Sequence, residues 1–217
     1  MTLPNKLTIG RIIAVPLMVT VACIPALNEH FIFNDGGCYL TIANFVNLII
    51  FILASITDFL DGHIARKYNL VTTFGKFADP LADKMLVLTS FLILMVQNGL
   101  LMVQNDLQHY PALVLEGWPY HLTITPLWAV AIILIRELMV SGVRLVAAQK
   151  GEVIAAGMSG KVKTFVTMIA LIFAFIATVH VSIAILALVL VFVSVILTIY
   201  SGIVYLRNAK DILLESV

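Results

Sequence analysis

The sequence predicts an all-α integral membrane protein of six transmembrane helices with both termini in the cytoplasm. Three observations carry that expectation. Of 217 residues, 61% are hydrophobic and only 12% charged, against about 45–50% and about 25% in soluble domains; the mean hydropathy is +1.07. Apolar runs of about 20 residues, enough to cross a bilayer, recur six times. The basic residues fall on alternate loops. This composition excludes a soluble cytosolic enzyme, a disordered tail and a disulfide scaffold. A formal net charge of +1 also excludes a polybasic nucleic-acid binder, so no nucleic-acid partner is expected. With no internal repeat or low-complexity linker, residues 1–217 read as one domain.

The expected spans are 9–27, 42–66, 80–104, 123–146, 162–179 and 183–206. A secretory signal would also fit the first, because Lys6 and Arg11 precede an apolar run ending Ala22-Cys23-Ile24-Pro25-Ala26. That reading leaves five spans and breaks the charge pattern. The last two spans are separated by argument: 43 residues between Lys163 and Arg207 carry no charge. A single helix of that length would run about 65 Å, twice the hydrocarbon thickness. A tight turn is therefore expected at Val179-His180-Val181-Ser182.

All thirteen Lys and Arg residues precede or open span one, cluster around the loops between spans two and three and four and five, or follow span six. The other loops carry Glu29, Asp35, Asp106 and Glu116 instead, which by the positive-inside rule puts both termini in the cytoplasm. Trp118, Tyr120 and Trp128 fall at the opposite interface. Cys23 and Cys38 have no metal-type spacing and argue for neither a zinc site nor a redox pair.

The chemistry concentrates in residues 55–84. Asp58 and Asp61 are three apart and Asp79 and Asp83 four apart, so on helices each pair shares a face. Spans two and three run antiparallel, which lets the two faces meet at the cytoplasmic edge of the bilayer. A lone Asp near a span end usually caps a helix. Four repel one another, and each acid deep in a bilayer costs at least about 2.5 kcal/mol, so the set makes sense when divalent cations neutralise it. All-oxygen donors favour Mg²⁺ or Mn²⁺ over zinc, and the set is large enough for two ions. Two metals bridged by carboxylates suit displacement at phosphorus. Gly62, Ala65 and Gly75 allow close approach of ligand and backbone, and Arg66 offers a planar, permanently charged phosphate donor.

As a pattern these residues read D-x2-D-G-x2-A-R-x8-G-x3-D-x3-D. The pattern resembles, at all eight fixed positions, the signature of the CDP-alcohol phosphatidyltransferases. The resemblance implies the CDP-alcohol phosphotransferase fold and a homodimer. It implies that Asp58, Asp61 and Asp79 hold one metal, and Asp58, Asp79 and Asp83 a second. Asp83 would also take the proton from the attacking hydroxyl. Asp61, Gly62, Ala65, Arg66 and Gly75 would line the CDP site.

Within that family, Leu3-Pro4-Asn5-Lys6-Leu7-Thr8-Ile9-Gly10-Arg11 is similar to the start of the bacterial phosphatidylglycerophosphate synthases. So are Arg136-Glu137-Leu138-Met139-Val140-Ser141-Gly142-Val143-Arg144 and Gly160-Lys161-Val162-Lys163-Thr164. This implies a multi-pass enzyme of the bacterial inner membrane with its active site on the cytoplasmic face. Its substrates would be CDP-diacylglycerol, bound partly by Asn5, Thr8 and Arg11, and sn-glycerol 3-phosphate. Inositol phosphate, serine and phosphatidylglycerol are alternative acceptors for the same chemistry. The residues point the same way: Arg136 lies inside a span, where a buried Arg is costly and usually functional. Arg144, eight residues on, keeps roughly the same face. Lys161 opens span five at a helix N-terminus that also favours an anion. Arg136, Arg144 and Lys161 are therefore the expected binding residues for the acceptor's phosphate.

Two other classes fit less well. A membrane prenyltransferase would carry its aspartate motifs far apart, whereas these four acids fall within 26 residues. A metal transporter would place acids near the bilayer midplane, often on repeated segments.

Overall fold

The computed structural model describes residues 3–35, 38–67, 73–104, 124–149 and 157–210. Helix α1 (Leu3–Cys23) is followed by a short α2 (Pro25–Glu29) and an antiparallel hairpin, β1 (Phe31–Asp35) with β2 (Cys38–Thr41). Then come α3 (Ile42–Lys67), α4 (Thr73–Gln104), α5 (Leu127–Gln149), α6 (Met158–Phe175), a 3₁₀ turn (Ala177–Val179) and α7 (Val181–Asn208). Among the described residues, six long helices overlap the six expected apolar segments, with ends displaced by up to seven residues. Three of them are long and apolar enough to cross a membrane among the described residues: Asn5–Cys23, Met158–Phe175 and Ser182–Asn208. Ile42–Asp58 is a shorter apolar stretch.

The expected turn after residue 179 is present. The 3₁₀ segment ends at His180, whose Nδ1 accepts from the Ser182 N–H at 3.1 Å and so satisfies an otherwise orphaned donor at the start of α7. The hairpin was not expected. Its register pairs Phe33 with Leu40 and Asp35 with Cys38, and Phe31, Ile32 and Phe33 are exposed, as apolar and aromatic side chains are where a protein meets the bilayer interface.

Helix α1 packs on α3 and α4, α6 on α7, and α5 on α7. The bundle carries apolar side chains on its outer face as well as in its core. Ile13, Leu17, Leu53, Ile135, Leu138, Phe165 and Ile196 face outward, while Arg11, Asn47, Ser194 and Thr198 are buried. Lipid accounts for this, because it solvates apolar faces that water would drive inward. Val15 and Met18 pack α1 into the core. Phe51 and Phe175 anchor the core, both fully buried with ring centroids 6.2 Å apart. Phe51→Ala is expected to destabilise the bundle by about 3 kcal/mol through the cavity it leaves. Thermal unfolding in detergent should show a clear fall in midpoint, with activity kept at low temperature.

Candidate active site

The buried face of α1 runs Asn5, Thr8, Arg11, Val15, Met18, spaced three or four residues as one helical stripe requires. Its polar end is aimed at the acidic segments. Arg11 Nη1 donates to Asp58 of α3, its Nη2 lies 3.4 Å from Asp79 Oδ1 of α4, and the Thr8 hydroxyl donates to Asp79. Arg11 is 1% exposed, and a cation so deeply buried requires paired charge. Its guanidinium therefore brings together carboxylates from two helices. Asp58 and Asp79 themselves stay open, at 36% and 41% side-chain exposure, so a ligand can still reach them.

Asp83 lies one turn beyond Asp79 on α4. Its Oδ1 is buried without a hydrogen-bond partner, and Asp58, Arg11, Lys163 and Glu137 are near enough to act on its charge. An unpaired buried carboxylate oxygen is uncommon. With Asp58 and Asp79 it offers only oxygen donors, the ligand type a hard divalent cation takes. The side chains of residues 59–67 lie outside the described ones, and with them Asp61, Gly62, Ala65 and Arg66. Gly75 is buried at the start of α4. Among the described residues alone, no three His, Cys, Asp or Glu side chains form a metal cluster.

A second, basic cluster adjoins the first. Glu137 of α5 receives Lys163 of α6 and, at 2.8 Å, Arg136 Nη1 on the same carboxylate oxygen. Arg136 Nη2 donates to Ser201 of α7. Lys84, next to Asp83, donates to Ser141, whose hydroxyl donates in turn to the Glu137 backbone carbonyl at 2.6 Å. The Arg144 guanidinium lies 5.7 Å from the centroid of the Tyr205 ring, within range for a cation–π contact. Arg136 and Lys163 thus pair with Glu137, and Lys84 lies near enough to Glu137, Arg136, Arg144 and Lys163 to feel their charges.

The structure brings Arg136 and Arg144 to one face of α5, against α7, as their spacing predicts. It leaves Lys161 exposed in the first turn of α6, outside this cluster. Lys163, 5% exposed, faces inward instead. Sequence reasoning passed over Lys163 and Glu137. The signal for Lys163 was the stripe Thr167, Ala170, Ala174, which counted back four residues from Thr167 reaches 163. For Glu137 it was an acid inside a span directly beside an arginine. Thr8 and Arg11 contact the aspartates directly.

The model of the CDP-alcohol phosphatidyltransferase family matches residues 1–200. The chain is 41% identical over 168 residues to a CDP-diacylglycerol–glycerol-3-phosphate 3-phosphatidyltransferase of Bacillus subtilis, covering 77% of this chain and 73% of the relative. It is 34% identical over 218 residues to the protein of that name from Haemophilus influenzae, covering 99% and 97%. A Rickettsia bellii protein, again of that name, is 38% identical over 169 residues, covering 78% and 72%.

Proposed function

The chain belongs to the CDP-alcohol phosphatidyltransferase family, and on that premise we propose that it transfers the phosphatidyl group of CDP-diacylglycerol to sn-glycerol 3-phosphate, giving phosphatidylglycerophosphate and CMP. The observation that carries the acceptor is the basic group Lys84, Arg136, Arg144 and Lys163, of which Arg136 and Lys163 share the carboxylate of Glu137. Arg144 pairs with an aromatic ring and not with an acid, and Arg136 and Lys163 share one carboxylate, so the group keeps positive charge for a phosphate dianion, and serine or a neutral polyol has no use for it. The names of the relatives support the same acceptor.

The family generally depends on divalent metal ions. Asp58, Asp61 and Asp79 would hold one, and Asp58, Asp79 and Asp83 a second, Mg²⁺ or Mn²⁺. When bound, the ions offset negative charge on the diphosphate and on departing CMP. Asn5, Thr8 and Arg11 flank the CDP head group. Arg66 binds its diphosphate, with Gly62, Ala65 and Gly75 leaving room for the nucleotide. Arg136 and Arg144, with Lys163 beside them, hold the acceptor phosphate, and Lys161 at the surface draws the anion in. Asp83 takes the proton of the acceptor's 1-hydroxyl as its oxygen attacks the lipid-side phosphorus. The bond from that phosphorus to the bridging oxygen breaks, and CMP leaves with the electron pair.

Purified protein, labelled CDP-diacylglycerol and a panel of glycerol 3-phosphate, serine, inositol, inositol phosphate and phosphatidylglycerol test the proposal. Glycerol 3-phosphate is expected to be used fastest; faster turnover with any other member would overturn the acceptor assignment. The charge pattern further supports six spans, cytoplasmic termini and a cytoplasmic site in a bacterial inner membrane. A cysteine placed at Asn69, outside the described residues, should be labelled from the inner side only. Outer labelling of sealed cells would reverse the topology. Family resemblance also supports a homodimer, which light scattering of the detergent-solubilised protein would detect as twice the chain mass.

A further inference from the structure

Helix α7 is the most apolar element of the chain, yet it buries Ser194, Thr198, Ser201 and Tyr205 on one face. The upper part of that stripe is satisfied locally. Thr198 donates to the Ser194 carbonyl at 2.7 Å, and the Ser194 and Thr167 hydroxyls lie 2.6 Å apart. The lower part is turned to the arginines of α5. The Arg136 head donates to Ser201, and the Arg136 stem crosses the backbone at Gly202, where an added Cβ would sit 3.2 Å from Arg136 Cγ and 3.7 Å from Met139 Cε. Below it, the Tyr205 ring stands against Arg144.

We propose that Ser201, Gly202 and Tyr205 are positioning residues for acceptor binding, fixing Arg136 and Arg144 from the α7 side; this rests on the reading of those arginines as phosphate-binding. The physical case is one of charge. Glu137 holds Arg136 Nη1 with a full negative charge, which cancels part of what a phosphate would feel. A serine hydroxyl and an aromatic face orient a guanidinium while leaving its charge in place. A hydroxyl in an apolar helix is otherwise worth little; facing a charged donor, it confines the guanidinium to one plane. Gly202 is what allows the approach: any side chain there meets the Arg136 stem at a distance tighter than ordinary van der Waals contact.

The test is steady-state kinetics on the full-length enzyme, varying glycerol 3-phosphate and CDP-diacylglycerol separately. Ser201→Ala and Gly202→Ala should each raise KM for glycerol 3-phosphate about three- to tenfold, with KM for CDP-diacylglycerol within about twofold. Ser201→Thr, which keeps the hydroxyl, should restore the wild-type value. Ser201→Ala should add nothing to Arg136→Gln, since it acts through that residue. Unchanged KM for glycerol 3-phosphate in Arg136→Gln itself would defeat the acceptor reading. An Arg136→Gln effect with none from Ser201→Ala, or a fully additive double variant, would defeat only the positioning role. Equal rises in both KM values would mean that α7 merely packs. Should Ser201→Ala not fold, Tyr205→Leu decides in the same way through Arg144: it must raise KM for glycerol 3-phosphate selectively and add nothing to Arg144→Gln.

Discussion

Asp83→Asn is expected to lower kcat by about 10²–10⁴-fold, the loss typical of removing a general base, while the protein folds and still binds CDP-diacylglycerol. The amide is close in size to the carboxylate, so the packing around α4 is kept. What is lost is the negative charge that would accept the proton and help hold the second metal; Asp83 Oδ1 is buried with no hydrogen-bond partner. Asp58→Ala, Asp61→Ala and Asp79→Ala should also abolish turnover, because each removes a donor from the proposed metal set. Asp58 and Asp79 are further tied to Arg11, so their loss also leaves a buried guanidinium with fewer counter-charges. A folded Asp83→Asn or Asp79→Ala enzyme keeping more than about a tenth of wild-type kcat, a loss of under about 1.4 kcal/mol, would remove these residues from the mechanism.

Arg136→Ala and Arg144→Ala should each raise KM for glycerol 3-phosphate about ten- to a hundredfold, the equivalent of about 1.5–3 kcal/mol for a charge-assisted contact. KM for CDP-diacylglycerol should barely move. The fold should survive Arg136→Ala, since Glu137 keeps Lys163 as a partner and is not left as an unpaired buried charge. A loss confined to CDP-diacylglycerol affinity would move these arginines to the nucleotide site and reopen the choice of acceptor.

The helices were legible because each is a long apolar run bounded by charge or by turn-forming residues, a local property of the chain. The aspartate motif was legible for a related reason. Its members lie within 26 residues, and at three- and four-residue spacing a helix puts them on one face whatever it packs against. The hairpin was harder. Its strands are short, and the apolar Phe31-Ile32-Phe33 with Gly36-Gly37 is a weak signal beside long membrane runs.

What the sequence determined by itself is therefore the membrane class, the long apolar helices among the described residues, the spacing of the aspartates and the arginines that α5 carries on one face. Tertiary structure decided which charges meet. Arg11 and Asp58 are 47 positions apart, and Arg136 and Ser201 are 65 apart; no local period records such pairs. It also decided that Lys163 turns inward while Lys161 stays exposed. Two residues along a helix differ by about 200° in direction, so the choice depends on the rotation of α6, and that is set by its packing on α7. The serine and glycine of α7 acquire a role for the same reason: in the chain they are small residues in an apolar run, and against α5 they face a buried guanidinium.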